Sequence, residues 1–213
     1  MTRRGWFWAL GAVLGLALVS LASNITTDSQ LAGEANMWLA IRFTISKVAN
    51  AGTLWAGLAV AVGWFLRGRM PAVVGGILAG VLVLAVHYGL GVLSGMFDSS
   101  IWAHNWHWFV AAVITGGPLG LVGAIARQGG MWGVLARLLV PAAAVVEPFA
   151  RGLFTTPAFL PWPGRVSDTV SGMILLAGGV AGVMVIVVTA RKSNQPANEK
   201  RPQSGTDAPP RDT

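Results

Sequence analysis

Six apolar stretches divide this chain, and the basic residues between them fall almost entirely into alternate gaps: Arg3 and Arg4, Arg67 and Arg69, Arg127, then Arg191 and Lys192. Each stretch is near the roughly 20 residues that a helix needs to cross a hydrocarbon core of about 30 Å. A chain with that rhythm is threaded through a bilayer. The expectation is an all-α, polytopic membrane protein with six transmembrane helices and both termini cytoplasmic.

Composition points the same way. The chain is 54% hydrophobic and only 11% charged, with a mean hydropathy of +0.63, against roughly 25% charged for a soluble domain. A soluble fold of 213 residues could not hide that much apolar surface. The formal charge of +7 would suit a nucleic-acid binder only if it formed a stripe on a polar domain, whereas these basic residues flank apolar runs. Nucleic acid is therefore not an expected partner, and the lipid bilayer is. The absence of Cys removes disulfides, thiol nucleophiles and thiolate metal sites. Twelve Arg against three Lys, among abundant Ala, Gly and Val, hint at a high-GC bacterial genome and so at a bacterial plasma membrane.

The spans read as residues 6–22, 48–66, 72–93, 106–126, 131–146 and 167–190, followed by a polar tail from about residue 191 to 213 that is too hydrophilic to bury anything. The first follows Thr2-Arg3-Arg4 as a signal peptide would, yet it starts with Trp6 and Trp8 as interface anchors and carries Gly11 and Gly15. An uncleaved helix is the favoured reading. Spans two and three join through the basic turn Arg67-Gly68-Arg69-Met70-Pro71, spans four and five through Arg127-Gln128-Gly129-Gly130. The longer opposite connections carry only the scattered Arg42, Lys47, Arg151 and Arg165, so the positive-inside rule puts the two basic turns in the cytoplasm. Residues 37–45 alternate well enough for a strand, but an open strand edge is costly near lipid, and an interfacial amphipathic helix is expected. Residues 147–166, with four prolines, read as an irregular outer cap, and Ser167 reads as the N-cap of the last span.

Small residues four apart recur at Gly11/Gly15, Gly76/Gly80, Gly91/Gly95, Gly116/Gly120, Gly129/Gly133 and Gly178/Gly182. They let helices approach closely, within the bundle or toward a second copy or another membrane protein. Ionisable groups in hydrocarbon cost about 2.5–3.5 kcal/mol on insertion scales, which makes them the functional suspects. Asn50, His87, Tyr88, His107 and Glu147 all lie near the outer ends of spans and could line a cavity open to that side. Asp168 lies at the same end. Arg137 is the exception, roughly 9 Å into the fifth span from its cytoplasmic end, and snorkelling explains it.

No complete catalytic constellation stands out. His104 and His107 share a helix face but lack further ligands, so no metal and no cofactor are expected. A rhomboid-like Gly-x-Ser motif is missing from the spans. Val146-Glu147-Pro148-Phe149-Ala150-Arg151 is similar to part of the signature of the CAAX-processing membrane proteases, but Val146 stands where the first Glu belongs and no Phe-x-x-x-His partner exists.

Residues 47–148, with Val48-Ala49-Asn50-Ala51-Gly52-Thr53-Leu54-Trp55, His87-Tyr88-Gly89, Gly116-Gly117-Pro118-Leu119-Gly120 and Val146-Glu147, resemble an actinobacterial domain-of-unknown-function family of small multi-pass membrane proteins. That resemblance implies class and location and assigns no activity. Three readings of function are open. The favoured one is a non-enzymatic integral membrane protein, structural, accessory or partner-binding. The others are a transporter or binder of a small outside solute, and an intramembrane enzyme using Glu147 and His87 as acid and base.

Overall fold

The computed structural model describes residues 3–25, 27–66 and 68–193. Among them are nine α-helices and no strand: α1 (Arg3–Ala22), α2 (Asp28–Leu31), α3 (Asn36–Ala49), α4 (Gly52–Phe65), α5 (Arg69–Leu93), α6 (Ile101–His104), α7 (Trp106–Ala126), α8 (Gly130–Ala150) and α9 (Trp162–Ser193). Four helices, α5, α7, α8 and α9, are long and apolar enough to cross a membrane, and α3 with α4 would make a fifth if that bent pair were one crossing. The apolar part of α1, Trp6–Ala22, falls short of that length. Arg67 and residues 194–213, nearly all of the tail, lie outside the described residues.

The middle of the bundle is held by missing side chains. α4, α5 and α7 cross where a methyl group on Gly120 would fall on the Ala72 carbonyl oxygen, one on Gly76 on the Gly116 carbonyl oxygen, and one on Gly123 on the Val60 carbonyl oxygen. Such backbone-to-backbone contact gains dispersion and packing energy where lipid supplies no hydrophobic force between helices. α1 lies against α4 and α5 through Ala9, Val13 and Ala17, which meet Leu58, Val62, Ala79 and Val83 in one buried cluster. α8 and α9 pair separately, with Gly179 over the Pro141 carbonyl. The outward faces stay apolar: Phe7, Leu93, Ile114, Trp132, Met184 and Val185 are all more than half exposed. Apolar exposure on that scale marks a surface made for lipid or protein contact.

Several boundaries differ from the sequence reading. The helix expected over residues 48–66 is interrupted. α3 ends at Ala49, Ala51 is extended (φ −67°, ψ 136°) and α4 starts again at Gly52, with 46° between the two axes. At 1.5 Å per residue α4 alone is about 21 Å long, shorter than the core it was expected to cross. Residues 36–49 do form the expected amphipathic helix and not a strand, but it runs on four residues past 45. α5 begins at Arg69 and not at Ala72, with Pro71 in its first turn, where a missing N–H costs nothing. α8 continues to Ala150 through Pro148, and α9 starts at Trp162 with Pro163 next. The irregular outer segment shrinks to residues 151–161, and Ser167 lies inside a helix. Pro148, expected in the irregular segment, is tolerated inside α8, as Pro141 is in the same helix and Pro118 in α7.

Candidate functional site

Polar side chains gather around the break between α3 and α4. Restarting a helix leaves its first amides without partners and concentrates positive potential there. Glu147, reaching over from α8, fills that gap: Gly52 N–H donates to Oε1 (2.8 Å), while Thr53 donates to Oε2 from both N–H (2.9 Å) and Oγ1 (2.6 Å). Arg151, one turn on, completes the set at 3.1 Å from Oε1. The next two amides of α4 are met by the Ala51 carbonyl. Asn50 closes α3 on the other side of the break: its Nδ2 donates to the Ser46 carbonyl (2.9 Å), and its Oδ1 accepts from Ser20 Oγ on α1 (3.0 Å). Side-chain competition of this kind is how Asn ends a helix.

A second polar tie joins α3 to α9. Lys47 Nζ sits 2.7 Å from Asp168 Oδ1, donates to Ser167 Oγ (2.7 Å) and also to the Gly164 carbonyl (3.1 Å). At the opposite end of the bundle Arg137 turns back down its helix and donates to the carbonyls of Ala126 (2.7 Å) and Gln128 (2.9 Å), stacking 5.9 Å from the Trp64 ring. Arg127 donates to the Trp64 carbonyl (2.9 Å). Both guanidinium groups thus satisfy carbonyls that helix ends leave open.

The five residues read as an outer cavity separate into three places. Asn50 and Glu147 flank the break on opposite helices. His87 and Tyr88 belong to an aromatic cluster closing the end of α5, with rings 5.2 Å apart, and with Phe97 5.5 Å from His87. Trp102 and Phe109 lie 5.9 and 6.0 Å from Tyr88. The His87 Nδ1 is buried without a partner. His107 is exposed, its ring tilted 44° against that of its neighbour Trp108 at 5.1 Å. Among the described residues, the hydrogen bonds of Glu147 go to Gly52, Thr53 and Arg151 and none joins it to His87. His104 ends α6 and so shares no helix with His107 of α7, contrary to the expected common face, and its Nδ1 pairs with the Ser100 carbonyl (2.8 Å).

The space in this part of the molecule lies elsewhere. A cleft of about 630 Å³ opens between α1 and the α8–α9 pair, floored by α4 and roofed by α3. Ala12, Gly15, Leu16 and Val19 form one wall, Thr53, Leu54, Gly57, Leu58 and Ala61 the floor, and Val140 and Ile174 the far side. Beyond Val19 and Ile45, which line both, a second cavity of about 680 Å³ continues between the end of α1, α2 and α3. Arg42 borders that cavity with Ser23, Thr27, Ser29 and Gln30. Its Nη1 donates to the Ser23 carbonyl (3.0 Å) and its Nε is buried with no partner. Sequence reading assigned Arg42 and Thr53 no role. As a pair, Glu147 and Arg151 enter that reading only as part of a protease-like signature, because residues 147–166 read as irregular, and the acceptor of the α4 amides is not visible in it at all.

No family model, curated protein or solved structure matches the chain. The fold itself defines a class: an all-α chain whose apolar helices are compatible with a multi-pass membrane protein and with contact to lipid.

Proposed function

We propose that this chain is a non-enzymatic protein of a bacterial plasma membrane, crossing it six times with both termini cytoplasmic, and that it works through its lipid-facing and partner-facing surfaces. α1 and α4 supply the two shorter crossings, and α3 lies along the outer interface. The basic residues of both turns, with Arg127 and Arg137 clustered beside Trp64, support the orientation. The resemblance to actinobacterial multi-pass proteins agrees with this location and adds no reaction. Small-residue positions that meet no other atom within 4 Å, Gly11 and Gly178 among them, are faces on which another helix could pack.

The observation that carries the non-enzymatic reading is the occupation of Glu147. Both carboxylate oxygens are consumed by the α4 amides, Thr53 and Arg151, so a general acid or base there would have to release the helix it caps. Glu147→Gln separates the alternatives. A cap predicts a clear fall in thermal stability in detergent. A catalytic carboxylate predicts a protein as stable as the parent, and that result would overturn the reading. Reporter fusions after Arg69 and Asp98 test the topology, with a cytoplasmic signal expected at Arg69 and an outer one at Asp98.

A further inference from the structure

We propose that the two joined cavities form a binding site for one anionic phospholipid of the outer leaflet, its phosphate on Arg42 and one acyl chain in the cleft between α1 and α8–α9. The inference rests on the six-crossing topology, which opens that cleft to the bilayer, and it adds the occupant.

Three features select this chemistry. The cleft is almost wholly apolar, and it follows α4 from Thr53 to Ala61, about 12 Å at 1.5 Å per residue. That depth matches the roughly 15 Å of one leaflet, half of a 30 Å core. An acyl chain fits such a slot, while a water-soluble ligand would find almost no polar partner in it. Volumes of about 630 and 680 Å³ fall within the roughly 300–1,000 Å³ usual for small-molecule sites.

The second cavity supplies the polar end. It meets the cleft at Val19 and Ile45 and carries Arg42, with no Asp or Glu among its lining residues. The guanidinium is held in place by the Ser23 carbonyl and by the Phe43 ring 5.0 Å away, with Nε shut off from solvent and only Nη1 hydrogen-bonded, so the rest of the half-buried fork is what the cavity offers a ligand. Phosphate oxygens suit the planar donor fork of Arg better than any neutral group does. Trp38, on the same rim, is an interface side chain at headgroup level. The third feature is continuity: one molecule with a charged head and an apolar tail satisfies both spaces at once.

Full-length protein, delipidated in a neutral detergent, would be titrated with phosphatidylglycerol, phosphatidylcholine and free glycerol phosphate, with bound lipid counted by native mass spectrometry. Phosphatidylglycerol should bind with unit stoichiometry and about tenfold or more above phosphatidylcholine, and glycerol phosphate should not compete at equal concentration. Arg42→Gln should remove that preference about tenfold or more, the value of one charged hydrogen bond. Gly15→Leu, filling the cleft where a side chain meets no other atom within 4 Å, should abolish unit binding with Arg42 intact. Equal binding of the two lipids, competition by glycerol phosphate, or a folded Arg42→Gln protein with unchanged preference would each overturn the proposal. Those results would leave correct reporter topology untouched, whereas inverted reporters would remove the foundation of both.

Discussion

α4, α5 and α7 touch backbone to backbone, whereas α1 and the α8–α9 pair stand apart across an open cleft, although both regions carry the same sequence device. Gly116 and Gly120 on α7 are spaced as Gly11 and Gly15 are on α1. The first pair meets the carbonyls of Gly76 and Ala72 closely enough to exclude any side chain, and the second meets nothing within 4 Å. Glycine spacing gives a helix permission to approach, and contact follows only where the facing helix also presents backbone. Facing α1 across the cleft, beyond the α4 floor, are Val140 of α8 and Ile174 of α9, side chains and not backbone. In a bilayer, lipid can fill such a gap, so closing it brings little gain.

The sharpest way to break this comparison is to put the same side chain on both sides. Gly120→Val puts a branched Cβ on the Ala72 carbonyl oxygen, and backbone cannot rotate away as a side chain can. Overpacking of this kind costs about 1–3 kcal/mol or more, and loss of a monodisperse peak on size-exclusion chromatography is expected. Gly15→Val should keep the peak and the parent melting temperature to within a few degrees. Equal damage at both positions would mean that the cleft is closed in the folded protein.

Next in size is Glu147, which ties α8 to α4 across the floor of the cleft. Removing the carboxylate strands the amides of Gly52 and Thr53, and two freed donors at about 1–3 kcal/mol each give roughly 2–6 kcal/mol for Glu147→Ala, toward the lower end because water reaches the exposed Gly52 amide. Lys47→Met cuts the other tie, from α3 to α9, and abandons Asp168. The side chains of Lys47 and Asp168 keep 25% and 16% of their surface exposed, so water takes up part of the loss and about 1–2 kcal/mol is expected. Thermal unfolding in detergent reads both, and Lys47→Met equalling Glu147→Ala would reverse their ranking.

These ties explain which parts of the molecule were legible in the chain. The helix over residues 106–126 is read to the residue, because its signal is local: an apolar run between Asn105 and the Arg127-Gln128-Gly129 turn. The break at Asn50 was hidden because Asn50 and Thr53 are the only polar side chains in an otherwise apolar run over residues 48–66, and what stabilises the restart, Glu147, lies some 95 positions away. Tertiary capping leaves no mark in the helix that it caps. The start of α9 was misplaced for the opposite reason, since Ser167 has the chemistry of an N-cap but spends its hydroxyl on the Gly164 carbonyl and Lys47. For the five proposed outer residues, counting from span ends suggested a shared depth, and it could not tell how they partition among helices. Depth follows from counting, while neighbours depend on which helices pack together.

The smallest expected effect is also the most discriminating, because only its sign matters. Gly→Ala within a helix is worth up to about 1 kcal/mol in favour of Ala when nothing opposes the methyl. At Gly11 and Gly15 nothing lies within 4 Å of the added carbon, so both substitutions should raise the melting temperature slightly. At Gly76 the same methyl falls on the Gly116 carbonyl, and the crossing of α5 and α7 must open to admit it, which should lower the melting temperature despite the identical gain in propensity. Opposite signs would mean that facing backbone, and not glycine itself, separates the closed half of this bundle from the open one. A fall at Gly11 and Gly15 as well would show that α1 presses those glycines against a second chain in the purified particle.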